Sequence, residues 1–321
     1  ANDVPMIQAA HVGIGISGNE GLQAVNASDF AIARFKYLKP LLLVHGRYNI
    51  RRVGNLGPYM FYKNILQALP QFFFGFDNIF SGQNFYYELL YQAYNVVHTG
   101  ITIMVYGAID KDVTPETALK YPSMYQEGPR GAFFSTRSVF WWMCESVLHS
   151  LVCYYVCYFA FKTTVFASGE DTSMWYFGTI MHFLIVLTAN ARILMMTRDF
   201  TWLVFVSHFL CFVGWVFFLW FFCAPFWDEP SMFSIFNKLF GSFSSYVIII
   251  LGVGINIFIS FLPTAFRVVV HPYPSMVCAE REGRKGLIYP DDGSLEEGAQ
   301  LQLPGEKKKK RIKRSKSATE K

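Results

Sequence analysis

The stretch SFSSYVIIILGVGINIFISFLPTAFR, residues 242–267, decides the fold class, because its one charge, Arg267, stands at its very end. A helix needs roughly 20 apolar residues to cross a hydrocarbon core about 30 Å thick. Outward from this stretch, five more windows meet the same requirement: approximately 56–80, 86–109, 137–162, 174–196 and 201–224. None repeats another. Of the 321 residues, 53% are hydrophobic, 18% aromatic and only 16% charged, against a charged share of about 25% in soluble domains. A disordered chain is excluded, and an ordinary soluble enzyme does not fit. The 33 Phe, 18 Tyr and 7 Trp suit a bilayer, whose interfaces collect aromatic rings. The reading is a mainly α protein with six transmembrane helices.

The flanks differ from the spans. Residues 1–45 carry short apolar stretches and many glycines, and read as the end of a soluble α/β domain. Residues 46–274 hold the stalk and spans, and 275–321 form a tail whose basic run, Lys307 to Arg314, is expected to be disordered. The net charge is +5, and the residues after Ala279 supply 12 basic against 8 acidic side chains, so most of the charge belongs to the tail. Threading six spans with the N-terminal domain in the cytosol puts 25 of the 28 Lys and Arg on the cytosolic side. Only Lys162 and Lys238 fall on the other, and Lys63 lies inside a span. Cytosolic flanks carry an excess of basic residues, so both termini are expected in the cytosol. The chain starts Ala1-Asn2-Asp3, with neither an initiator Met nor a signal pattern, and its first residue is expected to be a cut. The six cysteines, mostly in apolar runs, lack the spacing of a zinc site or disulfide scaffold and read as small buried residues.

Polar groups inside the spans point to chemistry. A charge in the bilayer costs about 2.5–3.5 kcal/mol on insertion scales, so Lys63 needs a reason. At 100° per residue Lys63, Asn64, Gln67 and Gln71 share one stripe of the first window. Gln92, Asn95, Thr99 and Thr102 form another in the second window, with His98 beside them. Facing stripes line a hydrated path or hold a polar ligand, or simply cross-link helices. Pro70 is expected to break the helix hydrogen-bond ladder there and free carbonyl groups. Glu145 and His149, four apart on one helical face, read as a pair, and Arg192 and Arg198 as cytosolic anchors. Gly13-x-Gly15-x-x-Gly18 matches the dinucleotide fingerprint literally, but too little soluble chain is expected there for the βαβ unit that pattern needs. A glycine-rich strand edge is the better account.

Several separated stretches, in order, carry a resemblance. Ala1 to Gln8, Ala10-His11-Val12-Gly13-Ile14-Gly15-Ile16-Ser17-Gly18 and Ser28-Asp29-Phe30-Ala31-Ile32 resemble the end of the phosphorylation domain of P-type ATPases. Leu41 to Arg47, Phe61-Tyr62-Lys63-Asn64, Tyr94-Asn95-Val96-Val97 and Phe134-Ser135-Thr136-Arg137 look like the phospholipid-flippase branch of that superfamily, to about Pro274. The resemblance implies a haloacid-dehalogenase-like α/β remnant before the spans. It also implies that Asp3 is a carboxylate of the Mg²⁺ site, that Asn2 contacts phosphoryl or ATP phosphate oxygens, and that Lys63, Asn64 and Asn95 line a lipid headgroup path. The family's phosphorylated Asp and nucleotide domain are absent from this chain, so by itself it is expected to be inactive. Where the family commonly continues Asn-Val-Val-Phe-Thr-Ser-Leu-Pro, this chain has His98-Thr99-Gly100-Ile101-Thr102, a departure that leaves its lipid preference open.

The expected function is ATP-driven movement of phospholipid from the outer or lumenal leaflet to the cytosolic one, in the Golgi, endosomes or plasma membrane. The helix from Leu41 to Arg52 is expected to couple the phosphorylation domain to Lys63. Mg²⁺ and ATP are the implied cofactor and energy source, a glycoprotein β-subunit the implied partner, and no nucleic acid is expected. The rivals are a cation-transporting P-type ATPase and a non-enzymatic scaffold or channel. The second window has no carboxylate between Glu88 and Asp110, which speaks against a dedicated cation site.

Overall fold

The computed structural model describes residues 3–18, 22–161, 169, 172–223, 232, 234–270 and 272–288. In chain order it has α1 (Asp3–Ala9), β1 (Ile14–Ile16), α2 (Gln23–Asn26), β2 (Phe30–Ile32), α3 (Leu38–Pro40), α4 (Arg47–Asp77), α5 (Glu88–Ala93) and α6 (Gly100–Ile109). Then follow α7 (Pro115–Lys120), α8 (Thr136–Phe161), α9 (Met174–Met196), α10 (Trp202–Phe222), α11 (Ile235–Gly241), α12 (Phe243–Val270) and α13 (Pro274–Ile288). Two stretches, Leu41–Gly46 and Tyr94–His98, are π-helical. The described structure is thus mainly helical, and it divides into two units. The basic tail beyond residue 288 and Asn2 lie outside the described residues.

One unit gathers the described parts of residues 1–50, 113–130 and 273 onward. Here β1 and β2 pair in parallel, with Ile14, Gly15 and Ile16 opposite Phe30, Ala31 and Ile32. Their connection runs through α2, so a miniature βαβ crossover fits where too little chain was expected, because three-residue strands and a four-residue helix suffice. The glycine run serves this packing. A Cβ on Gly15 would stand 2.9 Å from the Ala24 carbonyl, and one on Gly13 2.6 Å from the Ile7 side chain. The second glycine-free contact set lies around Val44, Tyr48, Val113, Ala118, Met124 and Cys278, which form a small buried cluster. Tyr48 donates its hydroxyl to the Val113 carbonyl at 2.5 Å. Glu127 accepts from the Ser275 backbone N–H at 2.8 Å and lies 3.8 Å from Arg47. Thr114 caps α7, accepting from the Thr117 N–H, with Pro115 at the first helical position, where a missing N–H costs nothing. Burial pushes the Cys278 thiol up from its ordinary value.

The larger unit holds residues 51–112 and 131–272. Four of its helices, α8, α9, α10 and α12, are long and apolar enough to cross a membrane. Helix α9 is buried along most of its length, from Tyr176 to Met196, while α10 and α12 expose Phe209, Phe217, Ile250 and Phe258, as helices facing hydrocarbon do. Aromatic rings fill the centre: Phe183 stacks on Trp215 at 4.0 Å, and Tyr59 and Tyr62 lie edge-on to Trp142. The close fit has a sharp point at Gly178, where a Cβ would fall 1.9 Å from the Phe85 carbonyl oxygen, so no other residue fits there without moving the backbone.

The first two expected windows fold differently from the other four. Helix α4 continues through Pro58 and Pro70; Pro70 has no N–H to give to the Leu66 carbonyl, which takes Ser150 Oγ at 3.4 Å. The second window is divided, into α5, the π turn Tyr94–His98, and α6. Asp110 anchors the ends of these pieces. It takes Arg51 Nη1 at 2.6 Å and the backbone N–H groups of Arg198 and Asp199 at 2.7 and 3.0 Å. Burial works against the Arg51 charge, but Tyr106, Asp112 and Asp110 outweigh it and hold the guanidinium above its ordinary value. Of the cysteines, Cys153, Cys157, Cys211 and Cys278 are buried, and none of the six is disulfide-bonded among the described residues.

Candidate functional site

Lys63 sits on α4 with 1% of its surface exposed. Its Nζ donates to Thr99 Oγ1 at 2.9 Å and lies 5.6 Å from the centre of the Tyr94 ring. Thr99 in turn donates to the Tyr94 carbonyl at 2.8 Å, and the Tyr94 hydroxyl donates to the Lys63 carbonyl at 3.1 Å. The base and the π turn are therefore laced together in both directions. Among the described residues no carboxylate lies within ion-pair distance of Lys63. A buried ammonium balanced only by a hydroxyl and a ring face is a costly arrangement, and it leaves two of its three N–H donors for something else.

The π turn is held open by its neighbours. Asn190 on α9 donates from Nδ2 to the His98 carbonyl at 2.9 Å, and the Thr102 hydroxyl lies 3.0 Å from both Asn190 Oδ1 and the Thr99 carbonyl. Gly100 follows the turn, and a Cβ there would press to 3.1 Å from the Asn95 carbonyl. Such π turns inside helices recur at functional sites.

The two polar stripes of the sequence separate in space. Lys63 and Gln67 are buried, and Gln67 donates to the Tyr91 carbonyl at 3.0 Å. Asn64 faces outward, as do Gln92 and Asn95, while Thr99, Thr102 and His98 turn inward. Lys63 thus shares its face with Thr99 and not with Asn64 or Asn95. The reason is local: 100° separates consecutive helical positions, and the π turn rephases the residues after Tyr94.

Two further polar groups were hard to see in the sequence. His98 and His182 meet edge to face, 5.5 Å between ring centres, each fully buried. Trp215 donates to His182 Nδ1 at 3.0 Å, which fixes the neutral ring's hydrogen on Nε2. That Nε2 and both nitrogens of His98 meet no partner among the described residues. The other group corrects the pairing read from sequence. Glu145 pairs not with His149 but with Arg192, Nε at 2.8 Å and Nη2 at 3.1 Å, and Ser260 bridges to His149. Arg192, read as a cytosolic anchor, is also part of a half-buried ion pair. Only an alignment of polar positions between α8, α9 and α12 could have revealed it, and spacing within one helix does not supply that.

As for a metal, no group of three or more His, Cys, Asp or Glu gathers among the described residues. Asp3 begins α1 and would bring a single carboxylate, so the described residues do not by themselves make a Mg²⁺ site.

Comparison with known proteins adds the following. The sequence profile described as Phospholipid-translocating P-type ATPase C-terminal matches residues 25–273. The chain is 40% identical over 204 residues to Probable phospholipid-transporting ATPase 5 of Arabidopsis thaliana, covering 63% of this chain and 17% of that protein. It is 34% identical over 264 residues to Phospholipid-transporting ATPase IH of Mus musculus, covering 80% and 22%. To Phospholipid-transporting ATPase IG of Homo sapiens it is 32% identical over 277 residues, covering 84% and 24%. The chain spans less than a quarter of the length of these relatives.

Proposed function

The chain belongs to the phospholipid-translocating P-type ATPase family, and from that premise we propose that it is the C-terminal, membrane-embedded part of an ATP-driven phospholipid flippase. With four apolar helices it is an integral membrane protein. In this reading α4 forms a fifth span and α5 to α6 a sixth, completing a six-helix bundle. Residues 1–45 are the end of a haloacid-dehalogenase-like phosphorylation domain, 46–274 the stalk and spans, and 275–321 a cytosolic extension. Both termini face the cytosol. Phosphorylation of an aspartate outside this chain drives lipid towards the cytosolic leaflet of a Golgi, endosomal or plasma membrane, and a glycoprotein β-subunit accompanies the pump. The chain alone does not hydrolyse ATP. Asn2 and Asp3 contribute one phosphate contact and one Mg²⁺ carboxylate to a site completed elsewhere.

The observation that carries the reading is Lys63: a buried base with spare donors and no carboxylate beside it. A phospholipid brings the missing negative charge on its phosphate or carboxylate. Asn64 and Asn95, on the outward face of α4 and of the π turn, line the route by which the headgroup passes. A cation pump needs carboxylates there, and the second window has none between Glu88 and Asp110. The test is ATP hydrolysis by the full-length protein across a panel of lipid headgroups. One or more phospholipids should stimulate it, and Lys63→Ala should weaken that response. Hydrolysis indifferent to every lipid would overturn the reading, and an unchanged response in Lys63→Ala would remove Lys63 from the path.

A further inference from the structure

Next to Lys63 on α4, Tyr62 is tied into a polar chain that crosses four helices. Its hydroxyl lies 2.6 Å from His149 Nδ1 on α8. His149 Nε2 lies 3.4 Å from Ser260 Oγ on α12, and Ser260 Oγ 2.5 Å from Glu145 Oε1. Glu145 accepts from Arg192 Nη2 on α9 at 3.1 Å and forms an ion pair with that guanidinium, which rests 4.2 Å from the centre of the Trp142 ring. The donor directions follow from one end. A carboxylate paired with Arg192 only accepts, so Ser260 gives its single hydrogen to Glu145. His149 Nε2 must then carry the hydrogen that reaches Ser260, which leaves Nδ1 as a lone pair for the Tyr62 O–H. One arrangement of protons satisfies every link.

The same turn of α4 is pinned through its backbone. Ser146 donates to the Tyr62 carbonyl at 2.9 Å, and Tyr94 to the Lys63 carbonyl at 3.1 Å. Apolar side chains of equal volume would hold α8, α9 and α12 together as well as this chain does, since buried ion pairs are weak sources of stability. What a directional chain adds is a single orientation of the group at its end.

We propose that Arg192, Glu145, Ser260 and His149 are positioning residues for the lipid response: acting through Tyr62, they fix the α4 turn that presents Lys63, so three helices remote from the headgroup set its affinity. This rests on the transport reading above. None of the four hydrogen-bonds to Lys63.

The test is a double-mutant cycle on the full-length protein, reading the phosphatidylserine and phosphatidylcholine concentrations that give half-maximal ATP hydrolysis, in preparations matched for phosphoenzyme formed from ATP. Tyr62→Phe and Ser260→Ala each remove one oxygen from the relay, on either side of His149. Each should raise the half-maximal concentration about fivefold, and the double variant should be no worse than either alone. The Tyr62→Phe and His149→Asn cycle tests the nearer link in the same way. Additive effects, or an unchanged half-maximal concentration in either single variant, would overturn the proposal and leave the transport reading standing. A wild-type protein that no lipid stimulates would overturn both.

Discussion

Two cations of the larger unit, half-buried Arg192 and buried Lys63, are treated in opposite ways. Arg192 donates from Nη2 to Glu145, with Nε 2.8 Å from the same carboxylate, is roofed by Trp142, and its partner is further tied to Ser260. Lys63, more deeply buried, has one hydroxyl and one ring face. Moving a charge out of water costs several kcal/mol per ion even after relaxation. At Arg192 that cost is offset within the chain; at Lys63 it is left open. A closed pair holds helices in place, whereas an open charge marks where a ligand of opposite sign completes the account.

The contrast can be broken most forcefully at Glu145. Replacing it with Ala strands Arg192, and unfolding of the full-length protein followed by heating in detergent should show a loss of about 3–5 kcal/mol. A loss under about 1 kcal/mol would mean that the pair is not what separates the two regions. The next largest effect is at Lys63, with the sign reversed. Lys63→Met removes an uncompensated charge and should leave thermal stability equal or higher, while the lipid concentration for half-maximal hydrolysis rises at least about tenfold, or about 1.4 kcal/mol. Should stability fall as it does for Glu145→Ala, Lys63 is balanced by something other than a ligand. Smaller again is His98→Phe, which exchanges two unpartnered nitrogens for carbon in an aromatic setting and should raise the unfolding free energy by about 1 kcal/mol; a drop would show that the nitrogens are partnered in the working protein.

The smallest effect concerns a buried group outside the spans, and serves as a control in which burial of a thiol outweighs its charged neighbours. Burial raises the Cys278 thiol, so the folded state binds its proton more tightly than the unfolded chain. The resulting stability is complete below the unfolded thiol's pKa, and is lost as pH rises through the raised folded one. Alkylation at pH 8 should accordingly be slower at Cys278 in the folded protein than after unfolding, and equal rates would show that the site opens freely.

Much of this was legible along the chain. The four apolar helices announce themselves in runs such as 242–267, because a bilayer demands length and apolarity that little else imposes. Lys63 stood out for the same reason, as a cost that needed a cause. What stayed hidden involves more than one helix. The helical stripe put Lys63 and Asn64 on one side of α4, but Lys63 is buried and Asn64, one residue on, is exposed, as is Asn95 in the π turn. Helix α4 continues through Pro70, while the interruption in the second window is marked by no proline at all, only by Thr99-Gly100. The Glu145–Arg192 pair joins residues 47 apart, and no periodicity within α8 reports on α9.

The π turn at Tyr94–His98 has one more consequence, and it is genetic. A π turn is an α-helix carrying one residue too many, so losing a single codon within 94–98 would let α5 run straight into α6. Every position downstream to Ile109 would then swing by about 100°, carrying Thr99 away from Lys63 and Thr102 away from Asn190. No substitution could make so broad a change so cheaply. An in-frame deletion there would rewrite which side chains line the interior while leaving composition, hydropathy and helix content almost untouched.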